Sequence, residues 1–137
     1  MTALSQVLLE RTSGAGVLDD IQDALDRAWR QHREVPPEVR IGMATAAGEI
    51  AANIIEHAGG GRPVWIRVEM QVRPDQVTVM FTDDGEPAAV DLGAAAMPDD
   101  LAERGRGLAL ARKLLGALTY RRSETGNHWT LVSRQFG

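Results

Sequence analysis

VWIRVEMQVRPDQVTVMFTDDG occupies residues 64–85. Apolar Val64, Ile66, Val68, Met70 and Val72 alternate with Trp65, Arg67, Glu69 and Gln71. Successive side chains of an extended strand point to opposite faces, so a period of two marks a half-buried strand. Arg73-Pro74-Asp75 is a turn, after which Val77, Val79 and Phe81 alternate with Thr78, Met80 and Thr82. Two such runs about a short turn predict a hairpin. A sheet built this way is antiparallel, with one face on the core and the other partly wet.

Helical periodicity lies upstream of the hairpin. Val17, Ile21, Leu25 and Trp29 recur every fourth residue among Asp and Arg, which predicts an amphipathic helix to about His32. Val35-Pro36-Pro37 ends it and opens a second, alanine-rich helix from about Glu38 to Ala58, which Gly59-Gly60-Gly61 stops. A short strand is expected at Ser5–Arg11. After the hairpin, residues 84–104 read as one long irregular loop, a length that usually serves function. Gly107–Leu115 reads as a helix. Leu118–Arg121 and Trp129–Ser133 read as a closing hairpin around Glu124–Asn127. The expected fold is α+β: a two-layer α/β sandwich with a mixed, mostly antiparallel sheet and helices on one face.

The chain has 137 residues, which suits one domain over 1–137 with a core that needs no staples. It has no cysteine, which excludes disulfide scaffolds, cysteine nucleophiles and thiolate metal sites. A net charge of −4 argues against direct nucleic-acid binding. No leader and no membrane-length apolar run is evident, so a cytoplasmic protein is expected, with no membrane association.

Three constellations carry chemistry. Glu49, Asn53 and His57 stand at i, i+4 and i+8 on the second helix, along a slowly drifting stripe beside its apolar face. A carboxylate beside an amide at a core boundary suits holding a cation and taking a proton from a hydroxyl. The same spacing also describes a solvated helix face, and His57 alone also suits a helix C-terminal cap. Asp83-Asp84-Gly85 ends a strand. It reads either as an ordinary turn or as a fixed carboxylate that accepts from a ligand amine, with Gly85 allowing close approach. Gly105-Arg106-Gly107 precedes a helix, where free backbone N–H groups and the dipole favour an anion; Arg104 and Arg106 flank it. A plain loop end is the competing reading.

In order and combination, these motifs resemble those of the GHKL (Bergerat-fold) ATPase superfamily, in particular its anti-sigma factor serine/threonine-protein kinases. Glu49 to Ala58 resembles the N box, Asp83-x-Gly85 the first glycine box, and Gly105-Arg106-Gly107-Leu108 the second. The terminal Gly126-Asn127-His128-Trp129-Thr130 resembles the last strand pair, and the likeness covers nearly the whole chain. It departs at Ala109, where relatives often carry glycine, and at Pro87-Ala88, where they often carry Pro-Phe.

The resemblance implies ATP and Mg²⁺ as cofactors. Asp83 would accept the adenine amino proton with Thr130 in support, and Asn53 would coordinate Mg²⁺. Gly105 and Gly107 would cradle the phosphates, with Arg104 or Arg106 neutralising charge, and Glu49 would be general base. His57, Gly85 and Leu108 come with the same motifs as nucleotide-binding positions. Residues 86–104 would be the nucleotide lid. The implied partners are an anti-anti-sigma (STAS-type) protein as phosphoacceptor, a sigma factor held inactive, and a second copy in a homodimer. Two alternatives belong to other classes: a non-catalytic ATP-binding or adaptor module of the same fold, and the detached ATP-binding domain of a histidine kinase. The latter would need a histidine-bearing helical hairpin upstream, and the first 35 residues are not expected to form one.

Charge is unevenly spread. Seven acids (Asp83, Asp84, Glu86, Asp91, Asp99, Asp100 and Glu103) fall in one interval with no Lys or Arg, and the remainder holds 12 acids against 15 bases. The acidic interval is expected to meet basic groups of a partner, or to fold over Arg104 and Arg106 when nucleotide is absent.

Overall fold

The computed structural model describes residues 5–58, 62–87 and 102–137, with backbone alone at 57–58 and 102–106. Among the described residues, five strands and three helices follow in the order β1 (Gln6–Thr12), α1 (Val17–Gln31), α2 (Pro37–Asn53), β2 (Trp65–Arg73), β3 (Gln76–Asp83), α3 (Ala102–Leu114), β4 (Ala117–Ser123) and β5 (Gly126–Val132). A π-helical turn, Ile54–Ala58, continues α2.

The sheet order is β1-β2-β3-β5-β4. All four pairings are antiparallel, where the sequence reading allowed a mixed sheet. The period-two reading of residues 64–82 is realised residue by residue: Ile66, Val68, Met70, Val77, Val79 and Phe81 are all buried. Their alternates, Trp65 to Gln71 and Thr78 to Thr82, are half-buried on the opposite face. There Arg67 pairs with Glu69 at 3.3 Å.

The helices cover the inner face. α1 buries Val17, Ile21, Ala24, Leu25, Ala28 and Trp29, the every-fourth-residue stripe with its alanine neighbours. α2 starts where a proline helix start is expected: Pro37 occupies the first turn, where its missing N–H costs nothing. Small residues let α2 approach its neighbours. It buries Gly42, Ala46, Ala47 and Ala51 beside Met43 and Ile50, and packs on both α1 and α3. Phe81 and Trp129 face each other across β3 and β5 at the centre of the core.

Two boundaries differ from expectation in ways that bear on the site. α2 is α-helical only to Asn53, where Ile54 N–H is shared between Ile50 and Ala51 carbonyls. The π turn then changes the rotation per residue, so the α-helical spacing behind the Glu49-Asn53-His57 stripe ends at Asn53. α3 begins at Ala102, five residues before the expected start. Gly105-Arg106-Gly107 therefore lies inside a helix rather than ahead of one, and Gly107 falls beyond the four N–H groups that a helix start leaves free. Most of the expected lid, with Asp91, Asp99 and Asp100, lies outside the described residues.

Candidate nucleotide site

Asp83 is the last residue of β3 and is completely buried. Its Oδ1 accepts from Asn127 Nδ2 at 2.8 Å and from the Gly85 backbone N–H at 2.9 Å. Its Oδ2 is buried with no hydrogen-bond partner in the chain. Burial pushes the carboxyl above its ordinary value of 3.8; the Asn127 and Gly85 hydrogen bonds pull it back, Asp84 raises it and Arg122 lowers it. A buried carboxylate with one saturated and one orphaned oxygen is an acceptor awaiting a donor.

The raised value sets a pH dependence. Between 3.8 and the folded-state value, the native protein holds a proton that the unfolded chain has lost. The stabilisation is full below that window and falls as pH rises through it. Replacing Asp83 by Asn removes the charge that burial penalises. Asp83→Asn is therefore expected to gain stability over the parent as pH rises to neutrality. Thermal melts of both proteins across acid to neutral pH check this; parallel Tm curves would refute it.

Asn53 ends the α-helical part of α2, and the residue is 9% exposed. Its Oδ1 is also buried without a partner. One turn earlier, Glu49 packs against α3. A Cβ built on Gly107 would stand 2.5 Å from Glu49 Oε2. Gly107 is thus glycine because the Glu49 carboxylate occupies the space of a side chain. The structure brings Glu49 and Gly107 into contact, sets Asn53 one helical turn from Glu49, and ties Gly85 to Asp83.

Other sequence expectations land elsewhere. Leu108 is 4% exposed and belongs to the hydrophobic core, where it packs rather than faces a ligand. Thr130 pairs with Met80 and Thr119 on the half-wet face, because its side chain alternates with buried Trp129 and Leu131. The residue that supports Asp83 is Asn127, not Thr130: Asn127 is directly opposite Asp83 in the β3–β5 register. The side chains of His57, Arg104, Gly105 and Arg106 lie outside those described.

Sequence reasoning missed Asn127, Tyr120 and Arg122. Asn127 Oδ1 accepts from Tyr120 Oη and, at 3.2 Å, from Arg122 Nη1. Its Nδ2 also reaches the Glu86 carbonyl at 2.8 Å and the Gly85 carbonyl at 3.3 Å. Arg122 Nη1 donates to the Gly85 carbonyl at 2.6 Å. The closing hairpin therefore clamps residues 83–86. The signal was available in principle: pairing the two hairpins in register puts Asn127 beside Asp83.

Among the described residues, an antiparallel sheet under three helices, with orphaned acceptors at a strand end and in the middle helix, is an α+β arrangement consistent with a nucleotide-binding domain. The chain belongs to the histidine kinase-like ATPase domain family, whose sequence profile matches residues 18–133. It is similar to the serine/threonine-protein kinase BtrW of Bordetella bronchiseptica, 33% identical over 102 residues, which cover 69% of this chain and 70% of BtrW. Among the described residues, no helix is long and apolar enough to cross a membrane.

The residues present fit ATP and Mg²⁺. Asp83 Oδ2 and Asn53 Oδ1 are orphaned buried acceptors. Oxygen from an amide suits a hard cation. Among the described residues, no three His, Cys, Asp or Glu side chains gather as a metal site. One protein ligand plus phosphate oxygens is the usual way Mg²⁺ is held beside a nucleotide.

Proposed function

We propose that this protein is an ATP-dependent serine/threonine kinase that phosphorylates a partner protein and regulates by partner switching. The observation that carries the reading is the pair of orphaned acceptors, Asp83 Oδ2 and Asn53 Oδ1, in a histidine kinase-like ATPase domain. The relative named as a serine/threonine-protein kinase supports phosphotransfer to a hydroxyl. Asp83 accepts the amino group of adenine. Asn53 holds Mg²⁺, which neutralises phosphate charge when bound. Glu49 takes the proton of the incoming serine or threonine hydroxyl. Phosphoryl transfer needs mainly positioning and charge neutralisation, so this small set suffices. The phosphoacceptor is an anti-anti-sigma protein of the STAS type, the held partner is a sigma factor, and the working unit is a cytoplasmic homodimer.

The test is nucleotide binding by the parent and by Asp83→Asn, each with and without Mg²⁺, followed by transfer of labelled γ-phosphate to a STAS-type protein. The parent is expected to bind Mg-ATP and label the acceptor, and Asp83→Asn to lose binding. A parent that binds no Mg-ATP overturns the reading.

Gly107 offers a finer check. In Gly107→Ala the new methyl meets the free end of Glu49, which swings aside at little cost, while alanine favours the helix over glycine by up to about 1 kcal/mol. Tm is expected to hold or rise. Phosphotransfer is expected to fall by about tenfold or more, because displacing a catalytic group by about 1 Å is that costly. Melting curves and initial rates on the same preparation decide it; an unchanged rate would detach Glu49 from the chemistry.

A further inference from the structure

We propose that Asn127, locked by Arg122 and Tyr120, is a positioning residue that makes Asp83 select a 6-amino purine over a 6-oxo purine. This rests on the nucleotide-binding reading above and adds residues and a selectivity that reading does not contain.

The argument starts from Arg122. A guanidinium has donors and no acceptor. The Asn127 side-chain atom at 3.2 Å from Arg122 Nη1 must therefore be the carbonyl oxygen. The Tyr120 hydroxyl donates to the same atom. This settles the orientation of the amide, which the amide alone leaves open. Its Nδ2 must then face Asp83. Of its two N–H bonds, one goes to Asp83 Oδ1 and the other to the Glu86 carbonyl, with the Gly85 carbonyl as a longer third acceptor.

The consequence falls on Asp83. Oδ1 accepts twice, from Asn127 and from the Gly85 amide, which uses both its lone pairs. Any proton the carboxyl takes up goes to Oδ2. Ionised Asp83 offers Oδ2 as an acceptor, complementary to a 6-amino group. Protonated Asp83 offers an O–H there, complementary to a 6-oxo group. The charge on Asp83 is thus the selectivity switch. Burial and Asp84 favour the protonated form, whereas the Asn127 and Gly85 hydrogen bonds and the Arg122 charge favour the ionised one. Arg122 acts twice, by its charge and by fixing which end of Asn127 faces the carboxylate.

The experiment compares affinities for Mg-ATP and Mg-ITP, which differ at purine position 6 and share one triphosphate, as a function of pH. For the parent, the preference for ATP is expected to be full at neutral pH and to decline on acidification with a single midpoint. In Asn127→Leu, of similar size without the amide, that midpoint moves up by about one pH unit, the order of effect of one strong hydrogen bond to a carboxylate. Because Asn127 is buried, Arg122 supplies a second variant at an exposed position. Arg122→Leu shifts the midpoint in the same direction, and Arg122→Lys, which keeps a charged donor, recovers most of it. A purely structural role for Asn127 lowers affinity for both nucleotides together and leaves the midpoint in place; that result overturns the proposal. Parent protein that binds Mg-ATP and Mg-ITP equally at all pH values also overturns it while leaving the ATPase reading intact. Parent protein that binds neither overturns both.

Discussion

Glu49→Gln is expected to bind Mg-ATP as the parent does and to transfer phosphate to its protein acceptor about 10² to 10⁴ times more slowly. The substitution keeps shape and removes only the capacity to take a proton. Glu49 lies mid-helix in α2, half-buried, with its carboxylate against the Cα of Gly107. Glutamine has the shape of glutamate, so the amide fits the same space. Asp83 and Asn53, the groups assigned to adenine and metal, are untouched, and affinity for nucleotide should not move. The rate loss corresponds to about 3–5 kcal/mol of barrier, the usual contribution of a positioned general base. Titration calorimetry for Mg-ATP and single-turnover transfer rates measure the two quantities separately. Transfer within threefold of the parent would show that Glu49 is not the base of the reaction.

Gly126→Ala is the largest expected loss of stability. Gly126 opens β5 at φ 133°, a conformation that L side chains rarely adopt. A methyl there would overlap the backbone carbonyl oxygen of Asp83 and crowd Asp84 Cα. Backbone cannot swing away as a side chain can. Strain and overpacking together amount to about 2–6 kcal/mol. For a domain of this size that lowers Tm by about 10 °C or more. Gly16 is the control: its φ is also positive at 78°, but nothing lies within 4 Å of the position a Cβ would take. Gly16→Ala therefore carries the conformational cost without the clash and should fall clearly less far. Equal losses at the two positions would show that the approach to Asp83 is not tight. The two sites differ in function as well, since forcing Gly126 away from Asp83 also opens the Asn127 hydrogen bond beside it.

Local patterning carried most of the architecture. Residues 64–82 announce a hairpin because alternation of apolar and polar residues is enforced by the pleat of a single strand. The stripe from Val17 to Trp29 announces α1 for the same kind of reason, with a period set by one helical turn. Four residues of α-helix put Glu49 and Asn53 on adjacent turns of one face, and the resemblance to the GHKL N box is what made them candidates. Asp83-Asp84-Gly85 at a strand end is a short local pattern, and the resemblance to the first glycine box singled out Asp83 within it.

Non-local facts had no such signature. The helix over 102–107 overrides two glycines that read as a break, and Leu108 at the motif's end turns out to fill the core. Whether Asp83 is supported by Thr130 or by Asn127 depends on the parity of β5 relative to β3. A one-residue change of register exchanges the two faces of a strand. Arg122 and Tyr120 are on a strand that does not pair with β3, and their hydrogen bonds reach Asp83 through Asn127. Periodicity along the chain thus determined most of the elements, and motif order marked Glu49 and Asp83 as candidates. Packing across the chain decided which oxygen of Asp83 stays open, because Asn127 on β5 and the Gly85 amide both bond to Oδ1.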